Sequence, residues 1–157
     1  MRIRAGIVLI QDNKVALIER HRAGLDYFVF PGGGVGEGET PEQAATREAM
    51  EELGVEVAIR QKVAVIQLGQ TSRQVYFLVE QIGGEFGKGV GEEYTNSDPH
   101  SPEEGIYVPI WMPIDQLPLH GNIYPVDLAG LVVKSIEEGW MDAAVTLFEE
   151  PKKDLRK

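Results

Sequence analysis

Residues 38–57 read GETPEQAATREAMEELGVEV, and both ends of one helix are written into them. Thr40-Pro41-Glu42-Gln43 has the form of a capping box, with proline at the first helical position. Gly54 stands where a left-handed residue commonly ends a helix. The pattern predicts a helix from Pro41 to Leu53. At about 100° per residue, Glu48, Glu51 and Glu52 fall within one sector of roughly 100°, with the small Ala44 among them. Ala45, Ala49, Met50 and Leu53 form the neighbouring apolar sector expected to face a core. A solvated helix face normally alternates signs to gain i,i+4 pairs, yet within this helix Arg47 is the one positive residue. Something outside the helix must therefore make three crowded carboxylates tolerable.

The rest of the chain supplies mostly strands. RIRAGIVLI and KVALIER read as a pair joined by a QDNK turn, and YFVF as a short buried strand running into PGGG. VEVAIRQKVAVIQLG and RQVYFLVEQIGG form a second pair around the polar QTS. Residues 83–105 are rich in glycine, polar and acidic residues, and read as a long loop with the character of a lid. IYVPIWMPI returns to strand, DQLP to one helical turn, and YPVDLAGLVVKSIEEGW to a closing amphipathic helix with Pro125 in its first turn. Residues 1–149 are expected to form a single domain and residues 150–157 a loose tail.

Composition narrows the function. There is no cysteine, so thiolate metal ligands and disulfides are excluded. The net charge of −10 argues against nucleic acid as a partner. The N-terminal apolar run is too short for a membrane helix and lacks a secretory cleavage site, so the expected address is cytoplasmic and no membrane partner is expected. An anionic small molecule is compatible with this charge if bound cations reverse the sign locally. FPGGGVGEG brings a glycine turn to the edge of the glutamate patch, where backbone can approach a ligand closely. Carboxylates with a backbone carbonyl, all oxygen, suit magnesium or manganese.

Gly33, five residues, Glu39, seven residues, then REAMEELGV resembles the Nudix box, the signature of hydrolases acting on nucleoside diphosphates linked to another group. Gly33, Glu39, Arg47, Glu48, Glu51, Glu52 and Gly54 fill its fixed positions. Such a coincidence would arise by chance with probability on the order of 10⁻⁶. Ala49 is smaller than the aliphatic residue usual at its position, and Val55 fills the other. The flanking YFVFPGGG and PIWMPIDQLP look like the same family's domain.

The resemblance implies an α/β/α sandwich around a mixed β-sheet and a metal-dependent hydrolase. Glu48, Glu51 and Glu52 would hold Mg²⁺, with Mn²⁺ as substitute, and the Gly32 carbonyl would add a ligand. Arg47 would pair with Glu39 and Glu51, while Thr40 and Gly54 punctuate the helix. The catalytic base would be Glu51 or Glu52, or a loop acid among Glu92, Glu93, Glu103 and Glu104, of which Glu93 is preferred. Arg20, Arg22, Tyr27 and Gly33 are the candidate substrate contacts. The proline that follows the box in ADP-ribose hydrolases is missing from QKVAVIQLGQTS, and the extra motifs of coenzyme A and NADH hydrolases are absent. A nucleoside triphosphate, plain or modified, is then the default substrate. A non-catalytic nucleotide-sensing domain of the same fold is the alternative, and a homodimer stays open.

Overall fold

Strand β1 (Arg2–Gln11) is buried on both faces, and this places it at the centre of a mixed sheet in the computed structural model, which describes residues 1–89 and 106–149. Its side chains alternate: Ile7 and Leu9 join one core, Val8 the other. β2 (Lys14–Arg22) returns antiparallel through Asp12-Asn13, both at positive φ as the tightest hairpin turn requires. β3 (Leu25–Val29) follows, then β4 (Gly32–Gly34), α1 (Pro41–Leu53), β5 (Val55–Leu68) and β6 (Ser72–Gly84). After the segment that is not described come β7 (Ile106–Pro113), a short 3-10 helix (Ile114–Leu119), β8 (Ile123–Tyr124), α2 (Val126–Glu138) and β9 (Val145–Glu149). The main path of the sheet runs β8-β3-β2-β1-β6-β5-β9, with β4 added to β1 and β7 to β2.

The two helices cover opposite faces. α1 lays Ala44, Ala45, Ala49 and Leu53 against Ile7, Leu9, Val75 and Phe77. α2 lays Leu128, Ala129 and Val132 against Val8, Leu17 and Ile66. The expected α/β/α layering is what the chain builds, and α1 has the bounds its caps predicted.

One expectation about α1 is corrected. Met50 is 37% exposed rather than core, while Ala44 is fully buried on the face it shares with Glu48 and Glu52. The reason is angular: the buried face centres on Glu48 and Glu52, and Met50 lies about 200° round from Glu48. The domain also does not close on α2. β9 adds to the sheet edge, parallel to β5, from Ala64↔Val145 to Leu68↔Glu149. Residues 150–157, expected as a tail, lie outside the described residues. Of the expected lid, residues 83–88 are the end of β6 and a turn tied to the end of α1, with Glu85 N–H donating to Gly54 O (2.9 Å) and Gly87 N–H to Leu53 O (2.8 Å). Its remainder from residue 90 lies outside the described residues.

The arms of the first hairpin part quickly. β1 and β2 pair only at Ile10↔Val15 and Gln11↔Lys14. Beyond that, β4 occupies the edge of β1, with Gly6↔Gly32 in register, and β7 runs beside β2 down to His21↔Ile106. Glycine is needed at this junction because a Cβ on Gly32 would stand 2.6 Å from Ala5 O. A cleft opens where the two halves of the sheet diverge.

Candidate active site

The position of the acids begins with the caps of α1. Thr40 Oγ1 accepts from Gln43 N–H (3.1 Å) while Gln43 Oε1 accepts from Thr40 N–H (2.9 Å). At the other end Gly54 has φ 79°, and its N–H donates to Met50 O at 3.0 Å. Thr40→Ala should cost roughly 1 kcal/mol of stability, read as a shift in urea midpoint, with little loss of low-temperature turnover.

Arg47 answers the crowding of the glutamates. Its Nε and Nη2 clasp the two oxygens of Glu39 (2.8 and 2.9 Å), and Nη2 also donates to Gly34 O (2.9 Å). Its Nη1 reaches Glu48 Oε1 (2.9 Å) and Glu51 Oε2 (3.2 Å). One guanidinium thus touches three carboxylates and ties the glycine turn to the helix. The ion pairs raise the pKa of Arg47, those with Glu39 foremost. The same bond, reinforced by Gly36 N–H, lowers Glu39 to about 2. A carboxylate depressed on folding stabilises above its unfolded value and loses that contribution as pH falls through the folded one. The ionic part of the stability difference between wild type and Glu39→Gln should therefore be full above about pH 5 and be lost between the ordinary glutamate value of 4.5 and about 2. Denaturant midpoints across that range check it.

Glu48 and Glu52 point inward, 6% and 5% exposed, and line a cavity of about 220 Å³ at the divergence of the sheet. Glu52 Oε1 accepts from Gly32 N–H at 2.7 Å, which fixes its carboxylate. The Glu48 carboxylate lies so close over Gly33 that a Cβ there would overlap it. Across the cavity stands Arg20, 6% exposed, with its guanidinium 3.9 Å from the Tyr107 ring centroid and 5.6 Å from that of Tyr27. Among the described residues Arg20 Nε has no hydrogen-bond partner and no carboxylate pairs with the guanidinium. Arg4, Gln74, Tyr76 and Tyr124 complete the wall.

Arg20, Gly32, Gly33, Glu48 and Glu52 are thus brought together. Glu51, Arg47 and Glu39 flank the cavity without lining it, so two acids rather than three share it. Tyr27 is buried behind Arg20, and Arg22 sits half-buried at the end of β2, off the cavity. His21 is occupied elsewhere, with Nδ1 2.6 Å from Asp26 and Nε2 2.5 Å from Glu19, contacts that raise its pKa, the Asp26 bond first. Glu93 and the other loop acids lie outside the described residues. Sequence reasoning missed Arg4, Gln74, Tyr76, Tyr107 and Tyr124. The signal for Gln74 was there: a polar residue on the strand face it shares with Tyr76, beside the apolar run YFLV.

The donor set fits a hard divalent cation. Two buried carboxylates on a cavity wall leave coordination positions for water and phosphate oxygen, which is how magnesium is usually held. Among the described residues no three His, Cys, Asp or Glu side chains gather closely enough to hold a metal unaided. The carbonyl of Gly32 accepts a long contact from Arg4 Nη2 at 3.4 Å.

A sequence profile of the NUDIX domain matches residues 1–128. The chain belongs to the Nudix hydrolase family. This Nudix chain is 31% identical over 116 residues to an 8-oxo-dGTP diphosphatase of Haemophilus influenzae, covering 69% of the chain and 84% of the relative. An 8-oxo-dGTP diphosphatase of Proteus vulgaris is 39% identical over 61 residues, 36% of the chain, and the chain spans about half (53%) of that relative's length. An RNA pyrophosphohydrolase of Tolumonas auensis is 48% identical over 54 residues, 34% of the chain and 30% of the relative. In structure, a NUDIX hydrolase from Nitrosomonas europaea superposes with a TM-score of 0.73 at 21% identity, covering 96% of the chain and 79% of the neighbour. That likeness supports the Nudix fold. Among the described residues no helix is long and apolar enough to cross a membrane.

Proposed function

We propose that this Nudix chain hydrolyses the pyrophosphate linkage of a nucleoside triphosphate, plain or modified, with Mg²⁺ or Mn²⁺ as cofactor. One observation carries the reading: two buried carboxylates face, across one cavity, a buried arginine with which no carboxylate among the described residues pairs. Burying either alone would be costly. A polyanion with its cation completes both ends, since the cation suits Glu48 and Glu52 and a phosphate suits Arg20.

A bound divalent cation supplies charge neutralisation at the phosphate oxygens. The residues supply the rest. Glu52 is oriented by Gly32 N–H and Glu48 by Arg47, so both carboxylates are set before substrate arrives. Gly32 and Gly33 let the phosphate chain approach the backbone, and Arg20, held against Tyr107, donates to its oxygens. Water attacks phosphorus, an O–P bond forms as the anhydride P–O bond breaks, and a carboxylate takes the water's proton. Glu51 or Glu52 is that base in our reading, with Glu93 as the alternative from the loop.

The test is a nucleotide panel with Mg²⁺, scored for phosphate and pyrophosphate release. Hydrolysis should stop after exhaustive chelation, return with Mg²⁺ or Mn²⁺, and rise towards alkaline pH as attacking water loses its proton more readily. Full activity in chelator would sink the metal-dependent reading. Tight nucleotide binding without release from any nucleotide would favour the sensing alternative.

A further inference from the structure

Gln74 is 2% exposed, lines the cavity, and is used by neither the cation-binding acids nor the phosphate-binding arginine. Its Oε1 accepts from the Tyr76 hydroxyl at 2.9 Å. That bond engages Oε1 and leaves Nε2 as the free donor end of an amide on the cavity wall, with no hydrogen bond from it to an acceptor among the described residues. Register fixes the neighbourhood: Gln74 lies opposite Arg4 on β1, and Tyr76 opposite Gly6. Glycine is required at that second point, because any Cβ on Gly6 would overlap the Tyr76 ring. Phe30 packs edge-on to Tyr76 with centroids 6.2 Å apart, and Phe30 and Tyr124 give the cavity aromatic walls. A planar ring fits such walls.

Apart from the two acids, the charged and amide groups facing this space are donors: Arg4, Arg20 and the Gln74 Nε2. A buried donor left unmatched is penalised by its desolvation, so the ring that enters must present acceptors. Keto bases do so where amino bases present another donor; guanine offers O6 where adenine offers an N6 amine. We propose that Gln74 determines base specificity, donating through Nε2 to a ring carbonyl and selecting oxo-substituted over amino-substituted bases. Tyr76 is its positioning residue. The inference rests on the nucleotide reading above and specifies which nucleotides the site takes.

The experiment compares kcat/KM for GTP and ITP against ATP, and separately the metal-free Kd of GMP and IMP against AMP by calorimetry. Wild type should favour the oxo bases by roughly tenfold or more, as expected when a site built to hydrogen-bond meets a substrate lacking the acceptor. Gln74→Leu should erase most of that ratio, and Gln74→Glu, which turns a donor into an acceptor, should move it towards ATP and AMP. Tyr76→Phe keeps the ring but frees the amide to rotate. It should lower the ratio as well, and it carries the test if a Gln74 variant does not fold. A ratio near one in wild type, or one that Gln74→Glu and Tyr76→Phe both leave in place, overturns the proposal. Failure to hydrolyse any nucleotide would count against the proposed reaction instead, while the monophosphate Kd ratios would still decide the role of Gln74.

Discussion

Glu52→Gln should lower turnover by about 10²-fold or more, equivalent to at least about 2.7 kcal/mol of lost transition-state stabilisation, while leaving the metal-free protein as stable as wild type or slightly more so. The two halves have different causes. The amide oxygen can still accept from Gly32 N–H, now at 2.7 Å from the carboxylate, so the strand–helix tie survives. What disappears is a negative charge 5% exposed and a short distance along the helix from Glu48, whose removal relieves repulsion. Steady-state rates and metal-free urea midpoints separate the two. Unfolding with an unimpaired rate would mean that the glutamates are structural.

Gly33→Ala should have a comparable effect on rate through geometry alone. The new methyl would occupy the space of the Glu48 carboxylate, which Arg47 holds at 2.9 Å, so the carboxylate can make room only by leaving that bond. Either the carboxylate swings out of the cavity or β4 lifts from β1, and both displace an acid we assign to the cation. A loss of about 10²-fold in kcat corresponds to about 2.7 kcal/mol. A second measurement fixes the cause: the Mn²⁺ affinity, followed by electron paramagnetic resonance of the free ion, should weaken in step. Gly34→Ala is the control, because a Cβ there meets nothing within 4 Å, and it should change neither. Equal losses in both variants would refute the overlap with Glu48 as the cause.

The parts of this site that were legible beforehand are those governed by local rules. Thr40, Pro41, Gln43 and Gly54 specify their own backbone, so the bounds of α1 could be read from them. The pairing of Arg47 with Glu39 and Glu51 came from the family resemblance, and the geometry agrees with it. What could not be read depends on register between distant strands. Arg4 and Gln74 are 70 positions apart and become neighbours only because β1 and β6 pair in parallel. Arg20 and Tyr107 meet for the same kind of reason, across β2 and β7. The exposure of Met50 was missed because the apolar sector was drawn without knowing that Glu48 and Glu52 sit at the middle of the buried face. β4 and β8 carry three glycines and two residues respectively, too little for any periodicity to register.

The C-terminal end of α1 has a bearing on how the protein folds. Glu51 and Glu52 occupy the last turn, where no basic residue accompanies them and where the helix dipole already presents its negative pole. By itself this segment is a poor helix in its final turn. Arg47 meets Glu51 from within the helix, and the other groups that offset the penalty arrive from elsewhere in the chain: Gly32 N–H for Glu52, and the N–H groups of Glu85 and Gly87 for the carbonyls of Gly54 and Leu53. The helix is therefore completed only when β4 and the end of β6 have docked. The orientation of Glu52 thus depends on a strand far from it in sequence, while Glu48 and Glu51 are held from within the helix by Arg47.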